Sequence, residues 1–149
     1  MSPPLLLLLL AALLAGCGTA SDPARSLAGV RTLTLASVVG LSGADLPSGL
    51  STELESSLRR SLSVRGYQVQ DAEGGDAAVR ASWFQERRVS AAGRPEVLLG
   101  ISVSFFDRGG QRIFSARSAR PNPATQWNGD RVAAEVAHLL RSLPEARAP

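Results

Sequence analysis

Apolar residues first alternate with polar ones, then recur every four positions, then alternate again, and this order predicts a mixed α/β domain. Over residues 30–39 the alternation puts Leu33, Leu35 and Val39 on one side of a strand, with Arg31 at its edge. Residues 40–49 contain Ser42-Gly43 and Pro47-Ser48 and read as a loop. Leu50, Leu54, Leu58 and Leu62 then form one apolar stripe, predicting a helix over about 48–65. Glu53 and Glu55 precede Arg59, Arg60 and Arg65, an order that suits the helix dipole and lets Glu55 pair with Arg59. Gly66 stands where a left-handed C-terminal cap is wanted, and a short strand follows over 67–70.

The second half reads as a meander and a closing helix. Residues 71–76 are an acidic turn around Gly74-Gly75. Along 77–89, Val79, Ala81 and Trp83 share one face, while Arg80, Ser82 and Phe84 take the other. After a loop at 91–95, Val97, Leu99, Ile101, Val103 and Phe105 alternate with Leu98, Gly100, Ser102, Ser104 and Phe106. Asp107-Arg108-Gly109-Gly110 is a hairpin turn into a strand over 111–119. A proline-broken loop over 120–128 carries Trp127. Asn128 is placed to cap a helix whose stripe is Val132, Val136, Leu139, Leu140 and Leu143, stopped by Pro144. The expected fold is α+β: a two-layer α/β sandwich with about five mostly antiparallel strands and two amphipathic helices on one face. The β–α–β start implies a right-handed crossover if both strands share the sheet.

The amino-terminal segment changes the picture. Residues 5–14 form a ten-residue Leu/Ala run, well short of the ~20 needed for a permanent membrane helix. Its length is that of a signal-peptide core, although no Arg or Lys precedes it. Directly behind it stands Leu14-Ala15-Gly16-Cys17, and Cys17 is the only cysteine. This run resembles the lipobox of bacterial lipoproteins. The resemblance implies a diacylglyceryl group on the Cys17 thiol, cleavage before it and acylation of the new amino terminus. Gly18-Thr19-Ala20 also offers the small residues of an ordinary secretory leader cut before Ser21. On the lipobox reading, residues 1–16 are a signal peptide, 17–28 a flexible tether and 29–149 a single domain. Glycine rather than aspartate at position 18 leans, by the same resemblance, towards the outer membrane.

Charge adds little. The chain carries +3, and all sixteen basic residues are arginine. Residues 17–76 hold five Arg and seven acids, whereas residues 77–149 hold eleven Arg and six acids. A basic half is able to meet anionic lipid or glycan. No arginine cluster is interleaved with aromatics as on a nucleic-acid surface, so no nucleic-acid partner is expected.

Candidate chemistry is sparse. His138 is the single histidine and falls on the polar side of the last helix; a general base needs an orienting partner and a cleft, and this position is expected to face water. One histidine and a lipidated cysteine cannot build a zinc site, and no phosphate loop, dinucleotide fingerprint or G-x-S-x-G elbow is present. No catalytic residue, metal or cofactor is therefore expected. The remaining candidates are surfaces: Phe84 and Phe106, sent by alternation to the sheet face away from the helices, and the hairpin tip with Arg87, Arg88 and Arg94.

From Leu62 onward the order of features resembles a family of small bacterial lipoproteins known as a domain of unknown function. The matching features are Arg65-Gly66-Tyr67, Asp76-Ala77-Ala78-Val79, the apolar strand 99–107, Arg112-Ile113-Phe114 and Leu139-Leu140 through Leu143-Pro144. A similar layout occurs in auxiliary lipoproteins of envelope lipid transporters and outer-membrane assembly. The expectation is a non-enzymatic, membrane-anchored envelope lipoprotein that binds another envelope protein or lipid. The alternative is an auxiliary subunit of a lipid or lipopolysaccharide transport system.

Overall fold

A computed structural model of the chain describes residues 27–36, 38–40 and 46–146. The leader, the Leu14–Cys17 motif and most of the expected tether lie outside the described residues. Leu27, within the segment read as tether, is buried in the core.

Six strands form one mixed sheet in the order β2-β1-β3-β4-β5, with β6 beside β4. Strand β1 (Thr32–Leu35) is parallel to both β2 (Gln68–Gln70) and β3 (Ala77–Val89). Strands β3, β4 (Pro95–Asp107) and β5 (Arg112–Arg117) make the expected antiparallel meander. Two helices, α1 (Leu50–Val64) and α2 (Gly129–Leu139), cover one face. The two-layer α+β expectation holds, with one strand more than expected.

The four-residue leucine period explains α1. Leu54, Leu58 and Leu62 are fully buried and Leu50 nearly so, each contributing about 1.5–3 kcal/mol of apolar transfer. Its amino end is capped by the backbone of Gly49 at φ 87°, not by a side chain. Its carboxyl end closes as a Schellman turn: Gly66 N–H donates to the Ser63 carbonyl (2.9 Å) and Tyr67 N–H to the Leu62 carbonyl (3.1 Å). Gly66 has φ 85°, a conformation that costs glycine nothing. Glu55 pairs with Arg59 at 3.0 Å, and Arg59 also reaches Asp71.

Helix α2 starts as read: the Asn128 side chain accepts from Arg131 N–H at 2.9 Å. It ends at Leu139, earlier than Pro144, although Leu140 and Leu143 remain buried. Groups at the end of α1 take up carbonyls there. Arg65 Nη1 donates to the Leu143 carbonyl (2.7 Å) and the Tyr67 hydroxyl to that of Pro144 (2.9 Å). These bonds fasten the segment that follows α2 to the end of α1.

Alternation locates the core. Val79, Ala81 and Trp83 on β3 and Leu99, Ile101, Val103 and Phe105 on β4 are buried against the helices. Two members of β4 depart from it. Val97, from the apolar set, is 44% exposed, while Leu98, from the opposite set, is 2% exposed where β6 (Asn122–Pro123) pairs with it.

Candidate functional site

The helices leave the other face of the sheet open, and the register fixes what stands on it. Arg80 lies opposite Ser104, which lies opposite Ser115; Ser82 lies opposite Ser102, which lies opposite Arg117. Two polar rows thus run across three strands. Phe84 flanks them at one end, opposite Gly100; Phe106 flanks them at the other, opposite Ala78 and Arg112.

The rings are not bare. Arg117 holds its guanidinium 3.7 Å from the Phe84 ring centre, and Arg80 sits 5.1 Å from that of Phe106. Such stacking is favourable by about 0.5–1 kcal/mol at an exposed site. The far end of the Phe84 ring lies over Gly100, where a β-carbon would fall 2.6 Å from Phe84 Cε1. Glycine is what leaves the ring that space. Arg117 Nη2 also donates to Glu86 Oε1 at 3.3 Å, and the Ser104 and Ser115 hydroxyls stand 3.3 Å apart.

The second surface is an arm. Beyond Ser82 on β3 and Leu98 on β4, the hairpin strands pair with no other named strand on one side and with each other on the other, through Val89 opposite Pro95. Ser90 and Arg94 close the tip, helped by Gly93 at φ 74°. Arg87, Arg88 and Arg94 are all exposed there, and Arg88 lies 3.6 Å from Glu96. Val89 (69% exposed) and Val97 continue the core-facing side past the helices. Val39, at 60%, bridges to Ser82 near the root of the arm. The structure therefore separates the sequence candidates: Phe84 and Phe106 lie on the sheet face, and the arginines lie on the arm.

His138 is exposed, and its Nδ1 is 3.0 Å from Arg141 Nη2. It lines a groove of about 540 Å³ with Arg120, Asn122, Arg131 and Glu135. No hydrogen bond links it to Glu135 among the described residues.

Several structural groups escaped the sequence reading. Asp76, read there as part of an acidic turn, joins two strands. Its Oδ2 accepts from Thr32 N–H (3.0 Å), Arg31 N–H (3.0 Å) and Thr32 Oγ1 (2.9 Å), and its Oδ1 from Arg108 (3.0 Å). Those hydrogen bonds, led by the Thr32 and Arg31 amides, pull its pKa down to about 2. Trp127, read as a loop residue, is buried edge-on against Trp83 with centroids 4.9 Å apart. Its Nε1 donates to the Leu99 carbonyl (3.2 Å) and the Asn122 carbonyl (3.3 Å). Burial raises the Tyr67 pKa. Asp-led and Trp-bearing turns are the sequence signals that mark these positions.

No family model matches the chain, and no curated protein does. Among solved structures it is similar to a leucine-to-methionine variant of the PelC dodecamer from Paraburkholderia phytofirmans, at 14% identity and TM-score 0.53, over 87% of this chain and 91% of that one. A second PelC dodecamer structure from the same organism gives 13% and 0.53, over 85% and 91%. Lipoprotein GNA1162 from Neisseria meningitidis gives 12% and 0.49, over 74% and 96%, a weaker likeness on which nothing below rests. At these identities the PelC likeness is one of fold.

Proposed function

We propose that this chain is a lipid-anchored protein of the bacterial cell envelope, its α/β domain serving binding or assembly rather than catalysis. The observation that carries this is Leu14-Ala15-Gly16-Cys17 directly behind a ten-residue apolar run, with no other cysteine in the chain. Each buried methylene contributes about 0.8 kcal/mol, so two or three acyl chains on one residue hold a domain at a membrane durably. Gly18 favours the outer membrane. The open sheet face and the arm supply contact surface. His138, committed to Arg141 on an exposed helix side, supports no catalytic assignment.

The transport-subunit alternative requires an apolar groove beside the sheet. Such a groove, and the loss of lipid binding when it is filled, is what would distinguish that reading from the first.

A second reading, self-association through the arm, is favoured by one observation. Three of the four exposed large hydrophobic residues among those described, Val39, Val89 and Val97, gather at that end of the sheet. The PelC structures of similar fold are dodecamers.

Palmitate labelling of wild type and Cys17→Ala, followed by membrane fractionation, tests the anchor. Labelled wild type in the outer-membrane fraction, with unlabelled soluble variant, is the expected result. Two unlabelled, soluble proteins overturn it.

A further inference from the structure

We propose that the open sheet face binds an acidic polysaccharide, its carboxylates held by Arg80 and Arg117 and its hydroxyls by the serine rows. The location of that polymer rests on the envelope reading; the chemistry rests on the face itself. By the register, Arg80 and Arg117 stand there with Glu86, which is paired to Arg117, and further along the same face Arg88 is paired to Glu96. Arg80 has no carboxylate partner among the described residues. The face is therefore complementary to an anionic ligand.

Its other features select the kind of anion. Anchoring in a lipid surface calls for apolar side chains that enter the acyl boundary. The exposed valines all lie elsewhere: Val89 and Val97 on the arm, Val39 at its root, Val64 at the end of α1. A protein interface is centred on a ring or aliphatic knob that enters a dry pocket. Here both rings are half-buried and already covered by guanidinium groups. What remains for a ligand is a flat array of N–H and O–H groups: Arg80, Ser82, Ser102, Ser104, Ser115 and Arg117. A chain of hydroxyls and carboxylates matches it.

Spacing agrees. The rows step from strand to strand at about 4.8 Å, close to the length of one sugar unit in an extended chain. A strand lying across β3, β4 and β5 meets a new donor at each residue. Stacking on Phe84 also fixes the plane of Arg117, so less freedom is lost when it forms charge-assisted bonds.

The test uses the full-length chain in detergent micelles and immobilised polygalacturonate as the acidic probe, with dextran as the neutral one. Wild type is expected to be retained on polygalacturonate, less so at high salt, and not on dextran. Arg80→Gln with Arg117→Gln is expected to weaken retention roughly tenfold or more, since two charge-assisted contacts are lost. Arg80→Gln alone, at an exposed residue with no hydrogen bond among those described, is expected to give a smaller loss without disturbing the Phe84 stack. Arg87→Gln with Arg94→Gln on the arm is expected to leave retention intact. The proposal is overturned by absent retention, by equal retention on dextran, by face variants that bind as wild type, by an equal loss in the arm variant, or by binding only to anionic phospholipid vesicles. An unlabelled chain that still binds the polymer removes the anchor alone. A palmitoylated chain that ignores the polymer removes this proposal alone.

Discussion

Thr32 and Asp76 bond in both directions across 44 residues of sequence. Thr32 N–H and Oγ1–H donate to Asp76 Oδ2, and Asp76 N–H donates to the Thr32 carbonyl at 2.8 Å. The start of β1 is thereby latched to the start of β3, on either side of the α1 crossover. The charged carboxylate is the form these donors favour. Its folded pKa, about 2, lies below the ordinary 3.8. The latch is thus fully present above about pH 4 and is lost as pH falls through that window, because the unfolded chain takes up the proton first. Thermal melts of wild type from about pH 5 to about pH 2 should show a falling midpoint. Asp76→Asn should begin lower and fall less steeply; parallel curves for the two proteins would remove the latch.

Trp127 should be costly to truncate. Trp127→Ala empties a buried site and is expected to cost about 3–5 kcal/mol in chemical denaturation. Trp127→Phe keeps most of the packing but strands the Leu99 and Asn122 carbonyls, costing about 1–3 kcal/mol. Trp83 is the contrast, since its Nε1 is buried without a partner. Trp83→Phe should cost only lost ring volume, so a hydrogen-bonding penalty there would contradict the structure.

Gly100 and Phe84 should behave as one unit. Gly100→Ala drives a methyl group into the Phe84 ring and is expected to destabilise by about 1–3 kcal/mol. In a Phe84→Leu background the same change should cost markedly less, because the smaller side chain yields. A double-mutant cycle reads this directly, and additivity would mean the ring does not rest on the glycine.

The arm reading predicts assembly without a change in fold. Wild type should exceed monomer mass by light scattering, and Val89→Ser with Val97→Ser should return it to monomer. Since both valines are exposed, the variant's stability should change by no more than about 0.5 kcal/mol per site. A wild type that is monomeric at the highest attainable concentration ends that reading.

Most elements were legible because they are long enough for a period to show. Strand β3 matches its expected span, and the stripes of both helices are buried as read. Strand β6 was not legible: two residues carry no alternation, and Asn122–Pro123 pairs with β4 beside the Trp127 bond to the Leu99 carbonyl. The path after α2 was not legible either, since the bonds that hold it come from Arg65 and Tyr67, more than seventy residues away. On the open face, alternation identified Phe84, Phe106 and Arg80 but not Arg117, nor that these arginines cover the rings. That cover follows from β5 registering Arg117 opposite Ser102, beside the Phe84–Gly100 pair. The Asp76 latch likewise exists only once β1 and β3 are neighbours.

The burial of Leu27 sets a leash length. On the proposed anchor at Cys17, nine residues, or ten Cα steps, lie between the lipid and Leu27, the first of the described residues and one buried in the core. Fully extended, they reach at most ~35 Å. The domain then patrols only a thin layer next to the bilayer. Any ligand or neighbouring copy it engages must come within that layer, and lengthening the leash, with no surface residue altered, would change what it meets.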